Sequence, residues 1–495
     1  MGAAVLGLLV ASGTAALAGP FDSSGQRVAE ARRAEAAAAS GTGAAPAPGA
    51  PGAPRGEDSP RLTTAGLPAP APSAAAVLAT LASGRAPAKN SLPRRLDPLL
   101  DKPALGERPT ASVVDVASGT VLYDAHADTA RTPASVTKLA TAVAALDSLG
   151  ADHRIETKVV GAKDDEDGKD DDEGQGDGKG KDDEERLTLV GGGDPTLTAR
   201  AHADGFASLR DLAARTARAL KDGGARSYTV AYDVSLYSGP RLHPIGPNEN
   251  IAPVTPLMAD EGRLDDSRSG PAARSTQPDK DAAERFRDLL RDQGVKVADK
   301  VEEHRADTGG QTVAAVSSAP LSALVERMLT YSDNDIAEGL ARQTALAAHE
   351  PVSFDGGGKA TKARLDRLGL PLDGARFADG SGLDRADRLT PALLTGLLAH
   401  AGDKDRPALR PVLSGLPVAG FTGTLATRYN EHTNASGTGM VRAKTGTLTG
   451  VNTLAGTVVT RSGRLLAFAF MTQDAPNPLD AQAALDRMAA ALTDA

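Results

Sequence analysis

The chain has 495 residues, 40% of them hydrophobic, and a formal net charge of −9, so it is long enough to bury more than one core. It has no cysteine, which excludes disulfides, thiolate metal sites and cysteine nucleophiles. There is no Trp, only 3% of residues are aromatic, and there is no basic stripe, which excludes a nucleic-acid partner.

In chain order, residues 3–18 form an apolar run that ends in Ala16-Leu17-Ala18. A small-residue end of this kind reads as the cleavage site of a signal peptide. No basic residue precedes the run. An uncleaved anchor is the competing reading, although a span usually takes about 20 apolar residues. A buried Ala-rich helix is the third, and the Pro-rich stretch that follows argues against it. Residues 19–95 are rich in Ala and Pro and read as a disordered spacer.

Residues 111–116 and 121–124 alternate as strands around a Ser-Gly turn, which predicts a hairpin. Pro133 stands ahead of a helical run over 134–149. Residues 155–160 and 186–190 read as strands joined by an acidic loop. Residues 163–185 hold 13 Asp/Glu against 4 Lys, a net of −9 that equals the charge of the whole chain. The remainder is therefore close to neutral. No stretch of this tract has the spacing of a calcium loop: the one ending at Gly168 begins with Lys163, and the one ending at Gly178 has Glu173 and Gln175 in the wrong places. Residues 206–221 and 281–293 have helical periodicity and 228–234 strand character. Helices over 319–329 and 336–347 flank a corner at residues 331–334. Strands over 440–447, 451–460 and 464–471 and a helix over 478–492 complete the chain.

These elements predict an α+β fold: an antiparallel sheet covered by helices, built from residues 96–150 plus 316–495, with an inserted α/β-type lobe over 151–315. The acidic loop over 162–186 is expected to be disordered.

Three short motifs fall on these elements: Ser135-Val136-Thr137-Lys138, Ser332-Asp333-Asn334 and Lys444-Thr445-Gly446. On a helix, Ser135 and Lys138 share a face. A serine hydroxyl needs a base, and a neutral Lys138 can serve. A free lysine titrates near about 10.4 and a useful base nearer about 7–8, a shift of about 3–4 kcal/mol. Burial supplies such a shift, and so does a second cation, for which Lys444 is the candidate. Ser332 can pass a proton, and Asn334 can hold both sides of a peptide bond. On a strand, Lys444 and Gly446 share one face and Thr445 and Thr447 the other. Gly446 leaves room for close approach. The backbone N–H groups of Ser135 and Thr447 suit an oxyanion hole. Singly, each motif is more often a solvated helix face, a turn or an N-cap. Their order and placement together reverse that balance.

The three motifs are those of the penicillin-recognising serine enzymes. The chain resembles the serine D-Ala-D-Ala carboxypeptidases among the low-molecular-mass penicillin-binding proteins, specifically the S13-like class with a large inserted domain. The separation of 197 positions from Ser135 to Ser332 carries that likeness. So do residues 191–197 (GGGDPTL), 379–383 (DGSGL) and 420–425 (GFTGTL). The resemblance implies Ser135 as acylated nucleophile, Lys138 as base, and Ser332 and Asn334 as the second catalytic element. It also implies substrate carboxylate binding by Lys444, Thr445 and Thr447 beside Gly446. The expected activity is removal of the terminal D-Ala from peptidoglycan stem peptides, with DD-endopeptidase cleavage as an additional outcome. β-Lactams are the expected inhibitors, the location is extracytoplasmic, and no metal or organic cofactor is expected. A membrane enters only through an N-terminal anchor. A β-lactamase would need a placed deacylating Glu, which the sequence does not offer. A non-catalytic penicillin sensor or scaffold would not need every catalytic position intact. His243 and His432 read as loop or surface residues rather than as a triad base.

Overall fold

The computed structural model describes residues 91–162, 184–221 and 227–495. The expected signal peptide or anchor and nearly all of the expected spacer lie outside the described residues, as do residues 163–183 of the acidic tract.

The first described element is helix α1, Ser91–Leu100, which buries Leu92 and Leu96. It begins ahead of the boundary expected at residue 96. Strands β1, Thr110–Asp115, and β2, Val121–Ala125, form the expected hairpin. Gly119 closes it with φ +69, and Asp115 Oδ1 accepts the Ser118 N–H at 2.9 Å. At the other end of the chain, β8 (Val441–Leu448), β9 (Val451–Val459) and β10 (Leu465–Thr472) form two antiparallel hairpins. β1 pairs with β10, so the sheet order is β2-β1-β10-β9-β8, antiparallel throughout.

Both faces of this sheet are covered, and β10 shows how. Ala467, Ala469 and Met471 join one core while Leu466, Phe468 and Phe470 join another, the period of two expected of a strand. The first core contains helix α2, Thr137–Leu149, together with α5 (Leu321–Tyr331), α6 (Asn334–Ala347) and α8 (Pro391–Gly402). The second contains α1 and the final helix α9, Pro478–Ala491. Every residue of α2 from Thr137 to Leu146 is buried. A helix apolar on all sides belongs in a core, and this one carries Lys138 into it.

Residues between α2 and α5 build a second sheet of order β6-β5-β4-β3-β7. Its strands are β3 (Glu156–Gly161), β4 (Glu184–Val190), β5 (Ser227–Asp233), β6 (Val297–Glu303) and β7 (Thr312–Ser317). β4, β5 and β6 run parallel, and β3 pairs antiparallel with β4 and β7. Parallel neighbours need crossovers. Helices α3 (Leu209–Leu220) and α4 (Pro278–Asp292) supply them and pack Leu209, Leu212, Phe286 and Leu290 on the sheet. Among the described residues no helix is long and apolar enough to cross a membrane.

Three local differences from expectation have physical reasons. Residues 134–136 are a 3₁₀ turn, because Ala134 has φ +50 and cannot continue a regular helix. Helix α6 begins at Asn334, because the Asp333 carboxylate caps it, accepting the Ile336 N–H at 3.0 Å. Strand β4 begins at Glu184, inside the stretch expected as loop, because its pairing with β5 starts there.

Candidate active site

Ser135 sits in the turn that enters α2. The turn is held between two glycines. A Cβ on Gly446 of β8 would collide with Thr453 Oγ1 and lie 2.7 Å from Pro133 O. A Cβ on Gly382 would collide with Ala134 O. Thr453 Oγ1 donates to Pro133 O at 2.8 Å. The room expected at Gly446 is thus filled by the turn that carries Ser135. That contact packs the turn against β8. A left-handed residue without a glycine is strained, and the surroundings must hold it.

Lys138 is fully buried. Its Nζ lies 2.7 Å from Asn334 Oδ1, 2.7 Å from the Ser381 carbonyl oxygen and 3.1 Å from Ser135 Oγ. Asn334 Nδ2 donates to Asn250 O at 2.9 Å, which keeps Oδ1 on the lysine. The two shorter contacts end on acceptors. A neutral amine therefore spends its two hydrogens there and turns its lone pair toward Ser135 Oγ. Burial pushes Lys138 down to about 8, against the opposing pull of Asp379, Asp333, Glu338 and Asp387.

Lys444 is also fully buried. Its Nζ donates to Ser332 Oγ at 2.8 Å and to Thr445 O at 2.7 Å. Burial, then the neighbouring Lys138, hold it well below the ordinary lysine range. Burial is the largest cause at Lys138, as expected, and the Lys138 charge further lowers Lys444; repulsion between two ammonium groups is mutual. Ser332 ends α5 in the left-handed conformation (φ 59, ψ 38), which turns the chain sharply into Asp333. The corner therefore delivers Ser332 to Lys444 and Asn334 to Lys138. Thr445 Oγ1 bonds Thr424 Oγ1 at 2.9 Å, and Thr447 is exposed on the strand edge in register with Asn452.

All eight residues singled out from the sequence lie on these three elements. Sequence reasoning assigned no role to the layer behind them. Glu338 Oε1 accepts the Gly380 and Ser381 N–H groups at 3.0 and 2.9 Å, fixing the loop whose carbonyl holds Lys138. Asp387 Oδ2 accepts Thr137 Oγ1 at 3.1 Å. Thr424 and Ser381 lie in the stretches 420–425 and 379–383, whose likeness to the family was the available signal. His432 is exposed in a turn, as expected, but His243 is 1% exposed and deeply buried.

The pattern of the D-Ala-D-Ala carboxypeptidase 3 (S13) family matches residues 92–269 and 265–492. A carboxypeptidase of Mycobacterium tuberculosis is 35% identical over 84% of this chain and 83% of its own. Carboxypeptidase DacB of Mycolicibacterium smegmatis is 36% identical over 86% and 89%. Among solved structures, penicillin-binding protein 4 (dacB) of Haemophilus influenzae superposes with a TM-score of 0.61 at 21% identity, covering 81% of this chain and 98% of that one. A second structure of that protein, complexed with a β-lactam, gives a TM-score of 0.58 at 23% identity over 79% and 97%. By its family pattern and by relatives matched over most of their length, the chain belongs to the D-Ala-D-Ala carboxypeptidase 3 (S13) family and is a serine-type D-Ala-D-Ala carboxypeptidase.

Proposed function

We propose that Ser135 is the acylated residue and that the enzyme removes the terminal D-Ala of peptidoglycan stem peptides outside the cytoplasm. The observation that carries this reading is the set of three contacts at Lys138 Nζ, two of them to acceptors and the third to Ser135 Oγ. Lys138 takes the hydroxyl proton as Oγ adds to the carbonyl carbon between the two D-Ala residues. The oxyanion lies against the backbone N–H groups of Ser135 and Thr447. As the C–N bond breaks, Lys138 passes that proton to the leaving amine by way of Ser332, whose hydroxyl is bonded to Lys444. Water then adds to the ester, and the same lysine takes its proton and returns it to Oγ, freeing Ser135. The substrate carboxylate binds at Lys444, Thr445 and Thr447, and Asn334 contacts the peptide bond. An arriving carboxylate favours the protonated form of Lys444, opposing the effect of burial.

β-Lactams acylate the same serine in this reading, and a DD-endopeptidase reaction needs only a longer leaving group. Residues 96–150 plus 316–495 make up the catalytic domain and 151–315 an inserted lobe. An N-terminal segment directs export or anchors the chain. Incubation with a fluorescent penicillin and with diacetyl-Lys-D-Ala-D-Ala tests the assignment. Wild type should be labelled and should release D-Ala. Ser135→Ala should lower both by at least about 10³-fold with its melting curve unchanged. Labelling that survives in this variant would remove Ser135 from the mechanism.

A further inference from the structure

His243 lies in the inserted stretch, on a loop after β5, yet its side chain is enclosed. Its ring stands edge-on to Phe354 of helix α7 (Phe354–Arg367), with centroids 5.1 Å apart. The Arg342 guanidinium covers that phenylalanine at 4.1 Å. Nδ1 accepts the Ile245 N–H at 3.2 Å. The hydrogen of the neutral ring is therefore on Nε2, which donates to Asp379 Oδ2 at 2.9 Å.

Asp379 organises the loop that holds the catalytic base. Its Oδ1 accepts the Gly382 N–H at 2.6 Å, and its Oδ2 accepts Asp384 N–H at 2.7 Å and Ser381 Oγ at 3.1 Å. The Ser381 carbonyl, within this loop, accepts from Lys138 Nζ. His243, Glu338 and Asp379 also lie close enough together to resemble a cation site. Their lone pairs are already directed at donors: Glu338 at Gly380 N–H, Ser381 N–H and Arg342, Asp379 at the four donors above, and His243 at Ile245 N–H. The cluster is a closed hydrogen-bond network.

We infer that His243 is a positioning residue for acylation: its bond to Asp379 fixes the Ser381 carbonyl on Lys138, and thereby keeps the lysine lone pair on Ser135. The inserted stretch thus reaches the reacting serine without touching substrate. Burial alone would push the Asp379 carboxyl up, and the His243 bond with the Asp384 and Gly382 amides brings it below the ordinary range, in keeping with an anion gripped by donors. The inference rests on the assignment of Ser135 and Lys138.

The test measures two quantities separately with a chromogenic penicillin on the full chain, the non-covalent affinity and the acylation rate constant. His243→Phe keeps the ring against Phe354 and deletes the donor. It should slow acylation about tenfold, the usual worth of a hydrogen bond to a charged group, with affinity within about twofold of wild type. His243→Gln, which restores a donor, should recover to within about threefold. Ser381→Ala removes the other side-chain bond to Asp379 with little change of volume and should slow the same step about threefold. It stands in if His243→Phe does not fold. Wild-type acylation in His243→Phe or in Ser381→Ala, a loss seen in affinity instead, or no recovery with Gln would each overturn the inference. Ser135→Ala runs alongside. Labelling of that variant would defeat the nucleophile assignment, whereas an inert Ser135→Ala with a fast His243→Phe would defeat only the role of His243.

Discussion

The Ser332–Asn334 corner has two buried charge centres, one on each side, and they handle burial in opposite ways. In front lie Lys138 and Lys444, both fully enclosed and both driven toward the neutral amine. Behind lie Glu261, Asp333 and Asp335, whose carboxylate oxygens are mutually within 4.8 Å. Burial pushes Asp335 up to about 7 despite Arg274, and pushes Glu261 well above the carboxylate range. A low-dielectric site disfavours charge of either sign. In front, that penalty makes it easier for a buried lysine to give up its proton. Behind, it raises Glu261 and Asp335 toward the neutral acid, while Asp333 is held below its ordinary range. One physical effect favours neutral amines on one face and neutral acids on the other. Arginines mark the difference. Arg274 meets Asp335 Oδ2 at 2.9 Å and Arg263 meets Glu261 at 2.8 Å, whereas the lysines bond only neutral groups.

The largest expected effect is on the front face. Lys138→Gln should slow acylation about 10³-fold, within the range for loss of a general base. In the wild type the rate should climb as pH rises through about 8, because only the deprotonated lysine accepts the hydroxyl proton. Stopped-flow acylation between pH 6 and 10 reads this directly. A flat profile would mean that the lysine is not the titrating base.

Next comes the acidic face. Arg274→Met leaves Asp335 without its buried cation and should cost about 3–5 kcal/mol, measured by urea unfolding. A neutral outcome would show that the corner tolerates Asp335 without its arginine.

A smaller effect is expected at Asp194 on the inserted stretch, a buried acid with no arginine to offset it. Its Oδ1 accepts Thr196 N–H and Oγ1 at 2.9 and 2.6 Å, and its Oδ2 has no partner. Burial pushes it up to about 6 from 3.8. Because its folded value lies above the unfolded one, its contribution is full below about pH 4 and is lost as pH rises through about 6. Asp194→Asn should therefore stabilise the protein by about 2–3 kcal/mol at pH 8. The gain should vanish near pH 4 in melting curves. A constant gain at all pH values would point to packing instead.

The cleft's own residues are legible in the sequence because each motif is local. Ser135 and Lys138 are one helical turn apart, and Lys444 to Thr447 lie on one strand. The antiparallel hairpins are legible from their turn residues. What escapes is whatever depends on distant partners or on backbone rarely adopted by non-glycine residues. The positive φ of Ala134 and Ser332 leaves no mark in residue type. His243 reads as a loop residue until Asp379, far along the chain, encloses it. Helix α7 contains Gly356, Gly357 and Gly358, which obscure its periodicity. They are needed because a Cβ on Gly358 would collide with Phe377 O and one on Gly357 would crowd Ala341.

The pairing of β1 with β10, Thr110 opposite Met471, has a consequence for the timing of assembly. The strand beside the segment that carries Ser135 finds its partner only far along the chain, and the seat for Ser135 is cut by Gly446 and Thr453 from the same distant stretch. Closing so long a loop is entropically costly and kinetically late. A nascent or truncated chain ending before β8 therefore carries the serine and its lysine without the seat that makes them an enzyme.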